Sequence, residues 1–154
     1  MQRRKFLKGT LAGSAVAVAV GAGLLNPRSV MAAWPSSAFE AKNVNDALSG
    51  LFGSSTTADS ADIEIKAPDI AENGAVVPVS VTTKIAGASS IALLVSTNNN
   101  PLAASFALSG GAKGYVSTRL KMAKTADVVA IVKAGDKMYT SKKNVKVTIG
   151  GCGG

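Results

Sequence analysis

The chain has 154 residues, with 17 Lys or Arg against 9 Asp or Glu, one Cys and no His. Without histidine there is no Ser/His/Asp triad and no imidazole zinc site, and one cysteine cannot close an internal disulfide, so most hydrolase and metalloenzyme mechanisms lose their base or ligand. The length suits one domain, 47% apolar residues supply a core, and only six aromatics lie beyond the first 32 residues, which argues against a base-stacking nucleic-acid platform.

The formal charge of +8 is inflated by the N-terminus. Arg3, Arg4, Lys5, Lys8 and Arg28 lie in an acid-free leader, and the remaining 12 basic and 9 acidic residues leave +3. Residues 1–8 are positive, Gly9 to Leu25 are uncharged and rich in Ala, Val and Gly, and Val30-Met31-Ala32 precede a cleavage point. This is the three-part pattern of a secretory signal over residues 1–32. The alternative, a membrane anchor, has only 17 small and apolar residues before Pro27 and Arg28, the lower limit for spanning; no stable anchor is expected after cleavage. Arg3-Arg4-Lys5-Phe6-Leu7-Lys8 resembles a twin-arginine signal, with Gln2 where Ser or Thr is usual. Such a leader sends a folded protein to the bacterial periplasm, where a lone thiol meets oxidising conditions.

Residues 33–60 read as a short helix and a linker. Ser36 or Ser37 supplies the cap, Phe39, Val44, Ala47, Leu48 and Leu51 mostly follow the helical period, and Gly53 ends it. Ser54 to Ser60 is a polar connection.

Residues 61–149 read as strand after strand. Ile63 and Ile65 alternate with Glu64 and Lys66, and Val77, Val79 and Val81 alternate with Pro78, Ser80 and Thr82. Pro78 belongs on an edge strand or at a bulge. Further runs cover Ile91 to Val95, Leu102 to Leu108, Tyr115 to Met122, Val128 to Val132 and Val145 to Ile149, with Lys137 to Thr140 as an extra candidate. Turns fall at Asn73-Gly74, Asn98-Asn99-Asn100-Pro101, Gly110-Gly111 and Gly135-Asp136. Short strands at this spacing without intervening helices predict an all-β, immunoglobulin-like antiparallel β-sandwich. The unalternating run Val128 to Val132 suits a central strand covered on both faces.

Charge is segregated. Trp34 to Glu72 holds two basic and seven acidic residues, whereas Asn73 to Gly154 holds ten basic and two acidic. The basic half is either a solvated lysine face that discourages edge pairing or a surface that attracts acidic partners or small anions.

The chain ends Gly150-Gly151-Cys152-Gly153-Gly154. Glycine is the costliest residue to order and offers nothing to pack, so residues 150–154 are expected to form a flexible arm that exposes Cys152. Five extended residues reach about 16 to 18 Å, and neighbours without side chains would let the thiol enter a narrow cleft. A lone cysteine in an exported protein signals intermolecular pairing or a reactive thiol. A prenylation signal needs the Cys fourth from the end, and Cys152 is third. No paired base, oxyanion hole, metal site or cofactor motif accompanies it, so Cys152 reads as an attachment point. Sulfur cargo suits a thiolate, which exchanges with disulfide-like sulfur and forms reversible persulfides. The alternatives are a subunit whose cysteine only forms an intermolecular disulfide and, less compatible with the missing base, a self-sufficient thiol enzyme.

The chain resembles the SoxY family of periplasmic thiosulfate-oxidising systems. The resemblance runs through Ala38-Phe39-Glu40-Ala41-Lys42, Ala67 to Val79, Asn100-Pro101-Leu102-Ala103-Ala104, Val116 to Met122 and Val145 to Gly154, with Asn98-Asn99 where the family often has Asn-Pro. It implies a carrier that holds pathway intermediates on Cys152 and performs no catalysis of its own. It also implies a heterodimer with a leaderless SoxZ-like subunit. A SoxAX-like haem enzyme would couple thiosulfate to the thiol, a SoxB-like hydrolase would release sulfate, and in some organisms a SoxCD-like dehydrogenase would oxidise the remaining sulfur.

Overall fold

The computed structural model describes residues 34–151, and Pro35 onward belongs to one compact unit. The leader (1–32, with Arg3 and Arg4) and Cys152, Gly153 and Gly154 lie outside the described residues. Among the described residues nine strands follow two short helices: α1 (Ser36–Glu40), α2 (Val44–Phe52), β1 (Ala58–Asp59), β2 (Ile63–Lys66), β3 (Ile70–Ala71), β4 (Val77–Thr83), β5 (Ala88–Val95), β6 (Leu102–Ala107), β7 (Tyr115–Leu120), β8 (Ala126–Ala134) and β9 (Lys137–Val147). A single 3-10 turn, Gly74–Val76, leads into β4.

The large sheet has the order β1-β9-β8-β5-β6, with β3 also paired to β9, and the small sheet the order β2-β4-β7. Together they form the immunoglobulin-like sandwich expected from the strand spacing. Alternation sorts the side chains: Ile91, Leu93 and Val95 of β5 and Val128, Ala130 and Val132 of β8 meet Val77, Val79 and Val81 of β4 between the sheets. The intervening Ala92, Leu94, Val129 and Ile131 point the other way, into a second cluster roofed by Ala38, Ala47 and Leu48 of the helices. This explains why β8 shows no alternation: both of its faces are covered.

The N-terminal segment is two helices, not one. Ala41 is extended, and Asn43, also extended, accepts the Asp46 N–H on its side chain at 2.8 Å and so starts α2 afresh. Pro35 occupies the cap position of α1, which leaves Ser36 and Ser37 inside the helix. Gly53 does end α2, with a left-handed φ of 78° that favours glycine.

Three further expectations need correction. Part of the Ser54 to Ser60 linker is β1, parallel to β9 with Ala58 opposite Tyr139, and β3 is likewise parallel to β9; two-residue strands are too short to show a period. The runs at Lys137 and Val145 are one strand, because the polar residues between them stay in register with β8 from Ala126 to Ala134. Pro78 lies on β4, the middle strand of the small sheet, but β2 stops pairing at Ser80, so beside Pro78 only β7 remains and no ladder hydrogen bond from its nitrogen is needed.

Leu93 is fully buried between the sheets. Leu93→Ala is expected to lower the unfolding free energy by about 2–5 kcal/mol, read from urea denaturation, whereas Ala103→Ser on the exposed side of β6 should change it by under about 0.5 kcal/mol.

Candidate functional site

The chemistry-bearing residue follows the end of β9, so the local question is what holds that end. One flank is the segment after β3. The Lys146 N–H donates to the Asp69 carbonyl (3.0 Å) and the Thr148 N–H to the Ala71 carbonyl (3.1 Å), while the Thr148 hydroxyl donates to the Glu72 carbonyl (3.1 Å). Lys143 and Asp69 form an ion pair at 3.1 Å across the same seam. The opposite flank is the loop after β7, where the Thr125 hydroxyl oxygen accepts the Val147 N–H at 2.9 Å.

Beyond Val147 the two flanks close on the backbone itself. The Gly74 N–H donates to the Ile149 carbonyl (2.7 Å), the Met122 N–H to the Gly74 carbonyl (2.6 Å) and the Gly151 N–H to the Met122 carbonyl (3.0 Å). Gly74 thus ties the C-terminal segment to the 121–123 loop. Such close approach leaves no room for side chains. A Cβ on Gly150 would overlap the Ala123 carbonyl oxygen, one on Gly74 the Met122 carbonyl oxygen, and one on Gly151 would stand 3.0 Å from both the Ala75 Cα and the Lys121 Cγ.

The 121–123 loop is itself anchored. Asn98, only 9% exposed, donates from Nδ2 to the Lys121 carbonyl at 2.7 Å and accepts the Ala123 N–H on Oδ1 at 3.1 Å. Two residues on, Asn100 donates to the Phe39 carbonyl at 2.8 Å, so one turn braces both the terminal clasp and the break between the helices.

These contacts correct the expected extent of the arm. Gly150 and Gly151 are expected as its loose beginning, yet Gly151 is buried and hydrogen-bonded; a Cβ on Gly150 would overlap a carbonyl oxygen, and one on Gly151 would be tightly crowded. Sequence reasoning took Asn98 and Gly74 for ordinary turn residues. Asn98 gives no signal in a run of three asparagines, because only the tertiary fold shows which one is buried.

Three exposed apolar residues belong to these segments: Ile70 on β3 opposite Lys146, Val76 in the turn that begins at Gly74, and Ile149, whose carbonyl accepts from Gly74. A cleft of about 330 Å³ lined by Phe52, Lys133, Asp136 and Tyr139 opens instead at the hairpin end of β9, roughly 30 Å of strand away, and takes no part in this site. Among the described residues no group of His, Cys, Asp and Glu is arranged to hold a metal, and no helix is long and apolar enough to cross a membrane.

Fold and sequence together define a class: small sandwich proteins with a glycine-flanked cysteine following the last strand. The family model described as "Sulfur oxidation protein SoxY" matches residues 48–152. Among solved structures, that of the sulfur carrier protein SoxY from Chlorobium limicola f thiosulfatophilum is similar, with 47% identity and a TM-score of 0.64 over 70% of this chain and 97% of that one. No curated protein matches the chain. The chain belongs to the SoxY family.

Asn98→Ala would strand the Lys121 carbonyl and the Ala123 N–H, at a cost of about 1–3 kcal/mol. Gly150→Ala, which must push the segment after β9 off Ala123, is expected to cost about 1–3 kcal/mol and to lose amide-exchange protection at Gly151 before β9 does. Unchanged protection at Gly151 in Gly150→Ala would show that the clasp does not depend on that contact.

Proposed function

We propose that the chain is a covalent sulfur-substrate carrier in thiosulfate oxidation, with Cys152 as the attachment point. The observation that supports this reading is the family membership over residues 48–152, together with a backbone clasp that ends at Gly151, the residue before Cys152 in the sequence. Coupling joins the Cys152 thiolate to the outer sulfur of thiosulfate in a two-electron oxidation, and a SoxAX-like haem partner takes the electrons. A SoxB-like hydrolase then adds water across the bond to the sulfone, releasing sulfate and leaving sulfane sulfur on the cysteine. A SoxCD-like dehydrogenase oxidises that sulfur where one is present.

The chain contributes presentation. Catalysis is left to the partner enzymes. Ile70, Val76 and Ile149 supply apolar contact area where those partners must dock, and Gly153 and Gly154 beyond the thiol add no side chains to obstruct them. A SoxZ-like subunit completes the heterodimer. Arg3 and Arg4 direct export to the periplasm by the twin-arginine route, which carries folded and pre-assembled cargo.

Incubation with thiosulfate and the partner enzymes should give a thiosulfonate adduct in intact-mass spectra, absent from Cys152→Ala. A wild-type mass that never changes, together with disulfide-linked dimers on non-reducing gels, would favour the purely structural role of the cysteine.

A further inference from the structure

Among the described residues five strands border a sheet: β1, β3 and β6 the large one, β2 and β7 the small one. Four of them are guarded against pairing with another chain. β1 and β3 are two residues long, β2 carries Glu64 and Lys66, and β7 carries Arg119; shortness and charge are the ordinary means of blunting an edge. The exception is β6. Leu102–Ala107 and the adjoining Leu108 contain no charged residue and no proline. One bulge interrupts the strand, where β6 has an additional residue, Ala103, against Leu93 and Leu94 of β5. From Ala104 to Ala107 the ladder is regular.

Backbone direction shows what this edge offers. The Leu108 N–H donates to the Ser89 carbonyl on β5 at 2.8 Å. By alternation Ala104 and Phe106 also direct their backbone groups toward β5, while Ser105 and Ala107 direct theirs away from the sheet. Both of these residues are exposed, and among the described residues no strand pairs with them. On the inner face, Ala104, Phe106 and Leu108 pack against the core yet are only partly buried. The core is thus incompletely covered along the same edge whose ladder is unfinished.

We propose that Ala104 to Leu108 is a self-pairing edge that joins two copies of this chain through an antiparallel β6–β6 ladder. Charge and register select that occupant. A charged strand would find no counter-charge here, whereas an identical uncharged strand meets no mismatch. A two-fold axis at Phe106 sets Phe106 opposite Phe106, Ser105 opposite Ala107 and Ala104 opposite Leu108, an isologous contact in which every pair shares a face of the sheet. Ser105 and Ala107 then form the hydrogen-bonded pairs. The two Phe106 rings meet at the non-hydrogen-bonded position, where side chains lie closest, and complete each other's burial. Because β6 follows the turn that holds Asn98, antiparallel pairing sends the two terminal clasps to opposite ends of the joined sheet and leaves both uncovered. The pairing is independent of the chemistry at Cys152.

Sedimentation velocity of the full chain, under reducing conditions so that Cys152 forms no disulfide, is expected to show a concentration-dependent dimer. Ser105→Pro removes an outward N–H and nothing from the β5 ladder. The axis repeats the loss, so two ladder bonds disappear and self-association should weaken about tenfold or more, with an unchanged circular dichroism spectrum. Cross-linking reads the register. In a Cys152→Ala background, Phe106→Cys places two thiols on Cα atoms about 4.5 Å apart, within disulfide reach, and diamide, which takes up their two electrons and two protons, should link them. Ala104→Cys stands opposite Leu108 and should not link. A wild-type monomer at every concentration, a dimer unaffected by Ser105→Pro, or failure of Phe106→Cys to cross-link ahead of Ala104→Cys would each overturn the proposal. Should Ser105→Pro not fold, the two cysteine variants decide.

Discussion

The rest of the terminus depends on one close approach of backbone to backbone. At Gly74 the chain after β3 comes near enough to the end of β9 and to the 121–123 loop that its N–H and its carbonyl are both used to join them. Such an approach is available only to residues without a Cβ, and glycine occupies all three of the crowded positions, Gly74, Gly150 and Gly151. The clasp turns a strand end that would otherwise fray into a fixed point of departure. A carrier needs this division, with a rigid body up to one residue and a short reach from there on.

The sandwich supports that fixed point through β9. The strand is eleven residues long and is held on one side by β8 along most of its length and on the other by β1 at its start and β3 at its end. Both short strands run parallel to it, and β3 is the piece that brings Gly74 alongside the terminus. The acidic and basic halves of the chain meet at this seam, where Asp69 pairs with Lys143. An exposed pair of this kind contributes little to stability.

Much of the architecture was legible from residue patterns. Two-residue alternation in β2 and β4 and its absence in β8 located the strands and identified the strand covered on both faces, since burial of alternate side chains is the property that the pattern records. The helix break was missed because Asn43 and Ala41 do not interrupt the apolar period, and Asn43 acts by capping. Likewise β1 and β3 are too short to carry a period, and the polar middle of β9 looks like a loop until β8 is placed beside it.

For the site, the sequence by itself determined the candidate residue: one cysteine, glycine on both sides, no histidine anywhere. Those facts are compositional and survive any folding. What only the tertiary structure decided is which glycines are there for clearance, and which asparagine braces the 121–123 loop. Residues 73–74, 98, 121–123 and 149–151 are far apart along the chain, and the hydrogen bonds and steric limits that give them their roles exist only once the two sheets have brought those segments within van der Waals distance.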